Sequence, residues 1–274
     1  MRFGAPFPDL SRRADVPERM DDPVCDEQEL LRTVRRFRLL NRLVTRYRLV
    51  LDRWLLREML ADPGRTYRVA DLGAGGCDIP AWLIRRAGER GLRLSVLAVE
   101  SDPRIADYAR RAHGGTPGLT IACRDATDLR ALGPVDYVIG NHFLHHLTDR
   151  GVQDLLAGAL ALPIRRFVFM DIRRTHAAYL GVSVLAALLF PRTFVGTDGR
   201  RSVRRGFRVS ELKDLLAEAG IRDRVQVHTL MPARIVIVGD GPDRLATSQI
   251  GPAVAGRTGR AERRKTRETA RPGR

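Results

Sequence analysis

The chain has 274 residues, of which 44% are hydrophobic and 29% charged, a composition typical of a soluble globular protein with one sizeable core. Its net charge of +16 raises the question of nucleic-acid binding. Almost all of the cations are arginines, and a large share of the excess follows Gly241. We therefore assign most of this charge to a solvated, disordered basic tail, residues 241–274, and less to contact with nucleic acid or an anionic surface.

No segment of the sequence predicts export or a membrane span. Residues 1–10 lack a sustained apolar region, and the longest apolar stretch, residues 177–190, is too short to cross a bilayer. The cysteines, Cys25, Cys77 and Cys123, are scattered and lack the spacing of a metal site, so no metal ion is predicted. They suit free thiols in a reducing compartment. We expect a cytoplasmic protein, for which peripheral membrane contact stays open.

Residues 1–62 predict an irregular segment followed by a helical cap. From Gln28 to Leu60, apolar side chains recur every three or four positions, and the opposite face is rich in arginine. This period is typical of an amphipathic helix, either one long helix or two that break near Asn41. The helix either packs on the domain or also covers a substrate cleft.

Strands and helices alternate through residues 63–240, after the turn signal Pro63-Gly64. Predicted strands are Tyr67–Leu72, Leu94–Val99, Leu119–Cys123, Asp136–Gly140, Arg166–Asp171, Arg224–Leu230 and Arg234–Val238, with helices near Ile79–Arg90, Pro103–Ala112, Val152–Leu162 and Ser210–Ala219. Repeated β-α units imply parallel strands, whereas the last two strands, joined by a short turn, imply a hairpin. We predict an α/β fold with a doubly wound, mostly parallel, seven-stranded Rossmann-like sheet and a C-terminal antiparallel hairpin strand.

Polar residues follow the predicted strands, at the edge where open α/β sheets bind ligands. The first predicted strand carries Asp71 near its end and leads into a turn in which Gly73 and Gly75 allow tight bending and close approach of a ligand. Glu100 directly follows the second predicted strand, where an acid can accept from both hydroxyls of a ribose. The other candidate cofactor-binding residues are Asp78, Ser101, Asp125, Ala126 and Asn141. In this order, the set predicts a nucleoside cofactor.

Asp78 argues against a dinucleotide. A dinucleotide-binding fingerprint would have glycine at this position, and a carboxylate there would repel a pyrophosphate. We therefore expect the cofactor to present a cation or an amine near Asp78.

At these positions the chain resembles the class I S-adenosylmethionine-dependent methyltransferases. Residues 69–78 resemble their first motif, with Cys77 where a third glycine is usual. Glu100 matches their ribose-binding acid, Asp125-Ala126 matches their adenine-contacting pair, and residues 136–147 resemble their fourth motif. The resemblance implies S-adenosyl-L-methionine as cofactor and methyl transfer (EC 2.1.1.-) as activity. The resemblance leaves open whether the cofactor can approach the backbone closely at Cys77, which has a side chain where the family usually has glycine.

A narrower resemblance concerns the acceptor of the methyl group. It is carried by residues 20–23, 41–43, 75–80, 198–199 and 202–207, which resemble actinobacterial small-molecule methyltransferases found beside type III polyketide synthases. This implies a small hydrophobic acceptor and O-methylation of a phenolic or polyketide-type compound in secondary metabolism. The alternatives are C-methylation of a quinone precursor, an RNA methyltransferase and an inactive cofactor-binding regulator. Asn-His-Phe-Leu after the fourth strand, in place of Asn-Pro-Pro-Tyr, disfavours methylation of nucleic-acid amino groups.

His142, His145 and His146 follow the fourth strand and are the candidate catalytic residues. A phenol has a pKa near 10. A base beside it would raise the reactive fraction. One of the adjacent pair must turn toward the sheet, so we expect at least one structural hydrogen-bonder, and transfer by positioning alone is the alternative.

Three further features leave two interpretations each. Asp171, at the end of the fifth strand, either contacts substrate or caps a helix. Arg204 and Arg205 either hold an acidic group of the substrate or are solvated. The apolar run 179–190 either lines the acceptor site or belongs to the core. The sequence does not predict an oligomeric state.

Overall fold

In the computed structural model of the chain, the structure describes residues 8–242. The predicted basic tail therefore lies outside the described residues, apart from its first two positions. The strands are β1 (Thr66–Leu72), β2 (Arg93–Glu100), β3 (Leu119–Cys123), β4 (Tyr137–Asn141), β5 (Arg166–Ile172), β6 (Val225–Leu230) and β7 (Arg234–Asp240).

The strands form one sheet in the order β3-β2-β1-β4-β5-β7-β6. Neighbouring strands are parallel except at β7, which runs antiparallel to both β5 and β6. The predicted fold class, with its parallel sheet and C-terminal antiparallel hairpin strand, is confirmed. Because β1, β2, β4 and β5 all point the same way, their carboxyl ends meet at one edge.

Helices cover both faces of the sheet. They are α1 (Glu27–Leu40), α2 (Tyr47–Leu51), α3 (Arg57–Met59), α4 (Asp78–Gly88), α5 (Pro103–His113), α6 (Asp149–Ala161), α7 (His176–Leu189), α8 (Val195–Arg205) and α9 (Val209–Glu218). Alternate residues of β5 enter different cores: Phe167 and Phe169 pack with α6 and α9, whereas Val168 and Met170 pack with α2 and α4. A strand buried on both faces reads as a continuous apolar run, as β5 does.

The N-terminal helical region bends after Asn41. Helix α1 is followed by a π-helical turn, Asn41–Thr45, and the backbone at Arg46 is left-handed, with φ 56°, before α2 begins. Of the two predicted interpretations, the broken helix is therefore observed. The break contains no proline or glycine, so sequence pattern places it only approximately. Within residues 8–242, no helix is long and apolar enough to span a bilayer.

Close packing between strands constrains Gly140 in β4. A Cβ atom there would lie 2.8 Å from Cδ1 of Phe169 and 3.1 Å from the carbonyl oxygen of Leu72. We expect Gly140→Ala to lower the free energy of unfolding by about 1–3 kcal/mol because the core cannot absorb the methyl group. Gly88→Ala is the matched control, since a Cβ at Gly88 meets nothing within 4 Å. Urea unfolding of both variants tests this, and equal midpoints would contradict it.

Candidate functional site

A cavity of about 1130 Å³ opens at the carboxyl ends of β1, β2, β4 and β5. Small-molecule pockets typically measure ~300–1,000 Å³, so this one has room for a cofactor-sized ligand and a second small molecule. Its wall contains every residue predicted from sequence to bind cofactor: Asp71, Gly73, Gly75, Asp78, Glu100, Ser101, Asp125, Ala126 and Asn141. The three candidate histidines line it as well.

The glycine-rich turn after β1 uses its glycines for two different purposes. Gly73 and Gly75 both have left-handed backbones, with φ 67° and 55°. A Cβ atom at Gly73 would lie 2.8 Å from the ring of Phe143, so this glycine permits close packing. At Gly75 nothing lies within 4 Å of that position, so this glycine leaves open space on the cavity wall.

Cys77 has a left-handed backbone, with φ 61°, and is fully buried. It packs with Ala98 and Ala109 and is not part of the cavity wall. Cysteine is therefore accommodated where glycine is usual because small alanines make room for its side chain away from the ligand space. Burial, followed by the charges of Asp71 and Glu100, raises the pKa of the Cys77 thiol. The thiol is thus kept protonated and unreactive.

Three carboxyl groups, Asp71, Asp78 and Glu100, form what we call the acidic end of the cavity. Asp71 is 3% exposed, and burial together with the charges of the other two raises its pKa well above the ordinary range. Burial also raises the pKa of Asp78 and of Glu100. Glu100 accepts backbone N–H bonds from Gly75 at 2.8 Å and Asp102 at 3.0 Å. A ligand that brings positive charge here would relieve the repulsion among these acids.

Asn41, on the π-helical turn after α1, is a site residue that sequence reasoning missed. Its Nδ2 donates to both carboxylate oxygens of Asp78, at 3.2 and 3.3 Å, and its Oδ1 accepts from Asn141 at 3.3 Å. Oδ1 of Asn141 is buried without a partner among residues 8–242, which leaves an acceptor for a ligand. The one available signal was an asparagine inside a leucine- and arginine-rich helix.

The loop after β3 carries the predicted adenine-contacting pair. The Asp125 carboxylate accepts from the N–H and the hydroxyl of Thr127, both at 2.8 Å, and Ala126 is buried beside it. These bonds order the loop locally, and both residues line the cavity. Contact of either residue with an adenine stays a prediction.

His145 lies between two carboxylates. Its Nδ1 is 2.7 Å from Oδ1 of Asp171, its backbone N–H donates to Oδ2 of Asp171 at 3.0 Å, and its Nε2 is 3.4 Å from Oε1 of Glu18. Burial alone would lower the pKa of His145, but the two carboxylates raise it to about 9. The ring is therefore protonated at neutral pH and has no lone pair with which to accept a proton.

Asp171 fulfils neither of its predicted roles. It is fully buried, is not part of the cavity wall, and pairs with His145. Helix α7 is capped instead by Thr175, whose hydroxyl accepts from the N–H of Ala178 at 3.0 Å. Asp171 lies too far before the helix to reach its first turn, so the N-cap prediction was wrong.

His142 and His146 have different surroundings. Burial, and then the charge of Arg234, lowers the pKa of His142 well below the ordinary range, so its ring is neutral. Its Nε2 accepts a hydrogen bond from Nη1 of Arg234. Nδ1 of His146, which is half-buried, lies 3.3 Å from Oδ2 of Asp21. Of the three candidates, His142 is the one whose ring accepts a hydrogen bond from an arginine side chain.

Helix α8 contacts both the N-terminal segment, residues 8–26, and the turn that carries the three histidines, residues 142–146, which we call the histidine turn. The Asp198 carboxylate accepts the backbone N–H groups of Arg19 and Met20, both at 2.9 Å. Arg205 donates to the carbonyl oxygens of His145 at 2.9 Å and His146 at 2.8 Å. Arg205 is therefore not a solvated charge, so that interpretation was wrong, and its contact with a substrate acid stays a prediction.

The same turn brings together possible metal ligands. Glu18, His145 and His146 each offer one ligand atom within 4.8 Å of the others. These donor types suit a divalent transition metal. The ion pairs of His145 with Glu18 and Asp171 are sufficient to explain why these side chains lie together.

Helix α7 places its apolar run on the cavity. Ala178, Gly181, Val182 and Leu185 line the wall, so the run borders ligand space as well as packing on α8. We call the part of the cavity formed by this helix face, His142 and Arg234 the helical end.

No protein-family model and no curated protein matches the sequence. Among solved structures, the plantazolicin methyltransferase BpumL in complex with SAH (S-adenosylhomocysteine) superimposes with a TM-score of 0.54 at 10% identity, over 78% of this chain and 96% of that one. The chain has the Rossmann-like methyltransferase fold. Magnesium protoporphyrin IX methyltransferase from Synechocystis PCC 6803, with bound SAH, has a TM-score of 0.46 at 16% identity, over 71% and 83% of the two chains. The DszA carbon methyltransferase has a TM-score of 0.48 at 20% identity, over 69% and 52%.

The ion pair of His145 predicts how stability depends on pH. Because the pKa of His145 is raised to about 9 by folding, its stabilising effect is complete below the ordinary value of 6.5 and is lost as pH rises through 9. The free energy of unfolding should therefore fall between these pH values by on the order of 2–3 kcal/mol. Asp171, whose pKa is lowered, loses its contribution only in acid.

Urea unfolding between pH 6 and pH 9.5 measures this slope. His145→Gln should abolish most of it, whereas His176→Gln, which alters an exposed histidine at the start of α7, should keep it. A slope that survives in His145→Gln would show that His145 is not charged in the folded protein.

Proposed function

We propose that the chain is an S-adenosyl-L-methionine-dependent methyltransferase that O-methylates a small hydrophobic acceptor of phenolic or polyketide type. The observation that carries the proposal is the meeting of every sequence-predicted cofactor residue in one cavity whose acidic end suits a cation. The fold that it shares with BpumL, a structure in complex with SAH, supports it.

The residues at the acidic end fit this cofactor. Glu100 would accept the ribose hydroxyls, and Asp125 with Ala126 would hold the adenine. Asp71 and Asp78 would face the amine and sulfonium charges, and the open space at Gly75 would admit the ligand backbone. When bound, the cofactor supplies a methyl group made electrophilic by its sulfonium.

The helical end would hold the acceptor. The apolar face of α7 would exclude water from a hydrophobic compound, and orientation by this wall can supply much of the acceleration. We assign the contact with the reacting oxygen to His142, because it lines the cavity and, with Nε2 accepting from Arg234, its other ring nitrogen carries an N–H that can donate to that oxygen. His145 and His146 would position the wall through Glu18, Asp21 and Asp171.

Cofactor binding is testable at Glu100. We expect Glu100→Gln to weaken SAH binding by about ten- to hundredfold, because an amide cannot accept from two hydroxyls as a carboxylate does. Glu89→Gln is the matched control, since Glu89 pairs with arginines on the exposed side of α4. Calorimetric titration of SAH measures both. Unchanged affinity in Glu100→Gln would refute this placement of the ribose, and no binding by the wild type would refute the function.

Methyl transfer is testable with a panel of phenolic lipids, quinone precursors and RNA, scored by a mass gain of one methyl group. We expect His142→Ala to keep SAH affinity and to lower the rate of transfer to phenols by about 10²-fold or more, because the N–H that would hold the reacting oxygen is lost. His228→Ala, outside the cavity on β6, should keep both. Methylation confined to RNA would favour an RNA methyltransferase, and SAH binding without any transfer would favour a regulator.

A further inference from the structure

Arg234 is a buried cation on the wall of the cavity. It is the first residue of β7 and pairs with Ile172 of β5, so the reversed strand brings its beginning to the edge where β5 ends. Only 5% of its surface is exposed. Burial lowers the pKa of Arg234 to about 10, which still leaves it charged at neutral pH.

The Arg234 guanidinium lacks a carboxylate partner within residues 8–242. Among these residues, Asp171 is the only carboxylate that raises the pKa of Arg234, without a hydrogen bond to it, and the Nε of Arg234 is buried without a hydrogen-bond acceptor. Asp171 acts on it electrostatically but is committed to His145. Burying an unpaired charge is costly, so the site is incomplete without a negative ligand.

His142 supplies a second donor beside Arg234. Its Nε2 accepts from the guanidinium, so in a neutral ring the proton resides on Nδ1, which then donates. The backbone at His142 is left-handed, with φ 58°, a conformation that costs energy for a residue with a side chain. Strain of this kind concentrates at ligand sites.

Arg173 and Arg104 also line the cavity, and Arg104 is paired with Asp102. The acidic end carries three carboxyl groups, and the face of α7 is apolar. We propose that Arg234 and His142 form an oxyanion site for the acceptor, which carries a carboxylate or phenolate oxygen together with an apolar portion that lies along α7. This inference rests on the proposed function, because it takes the second ligand of the cavity to be the methyl acceptor.

Paired ligands of equal shape test the site. The probes are 4-octylbenzoate and its neutral analogue 4-octylbenzamide, titrated calorimetrically into the full chain with and without SAH. We expect the wild type to bind the benzoate about ten- to hundredfold more tightly. Arg234→Met should reduce benzoate affinity to that of the benzamide and leave benzamide affinity within about twofold, since methionine replaces the guanidinium with apolar bulk.

Two controls distinguish the loss of the Arg234 charge from a loss of folding. Arg222→Met removes an exposed arginine before β6 and should keep the preference for the benzoate. Arg234→Met should unfold at a Tm no lower than the wild type, because replacing an unpaired buried charge with an apolar side chain is often stabilising. If that variant does not fold, Arg234→Lys, which keeps the charge and loses the planar donors, should show an intermediate preference.

The outcomes distinguish the two proposals. Equal affinity of the wild type for benzoate and benzamide overturns the oxyanion site, as does a preference that survives in Arg234→Met. If SAH fails to bind while the Arg234-dependent preference remains, the methyltransferase function fails and the oxyanion site stands.

Discussion

The buried ion pair between Asp171 and His145 joins the sheet to the wall of the cavity. Asp171, the last residue but one of β5, pairs with both the ring and the backbone N–H of His145. Glu18 lies on the far side of the ring and accepts from Ser202 of α8 at 2.7 Å. Strand, histidine turn, N-terminal segment and α8 thus share one set of buried charges. Removing one partner from such a set leaves another uncompensated and costs stability.

The parts that sequence predicted depend on local pattern. Apolar runs ending in polar residues located the strand ends, and because parallel strands end at one edge, residues such as Asp71, Glu100 and Asn141 meet in one cavity. The missed parts depend on contacts between distant segments. The sequence placed a possible break near Asn41, but the contact of Asn41 with Asp78 joins residues 37 positions apart, and no period or motif encodes such a contact. Likewise, the partners of the histidines come from opposite ends of the sequence, so local pattern could not assign their protonation.

The cavity is divided electrostatically along the sheet. The acids of β1 and β2 lie at one end, and Arg234 of β7 lies three strands away from β1, roughly 14 Å at the usual strand spacing. In a buried site, charges are screened less than in water. The two proposed sites would therefore seat an electrophile carrying positive charge beside the acids and a nucleophile carrying negative charge beside Arg234.

Because β7 is antiparallel, it reaches the ligand edge of the sheet by a different kind of connection from the parallel strands. Parallel strands reach the ligand edge through crossover helices, so changing their ends disturbs packing on both faces of the sheet. The antiparallel strand reaches the same edge through a short hairpin turn, with Met231 largely exposed and Arg234 just inside. Hairpin turns tolerate changes of length and residue type better than crossovers do. Substitutions in the hairpin between β6 and β7 would thus change the proposed acceptor site, while the glycine-rich turn after β1 and Glu100 keep the proposed cofactor site unchanged.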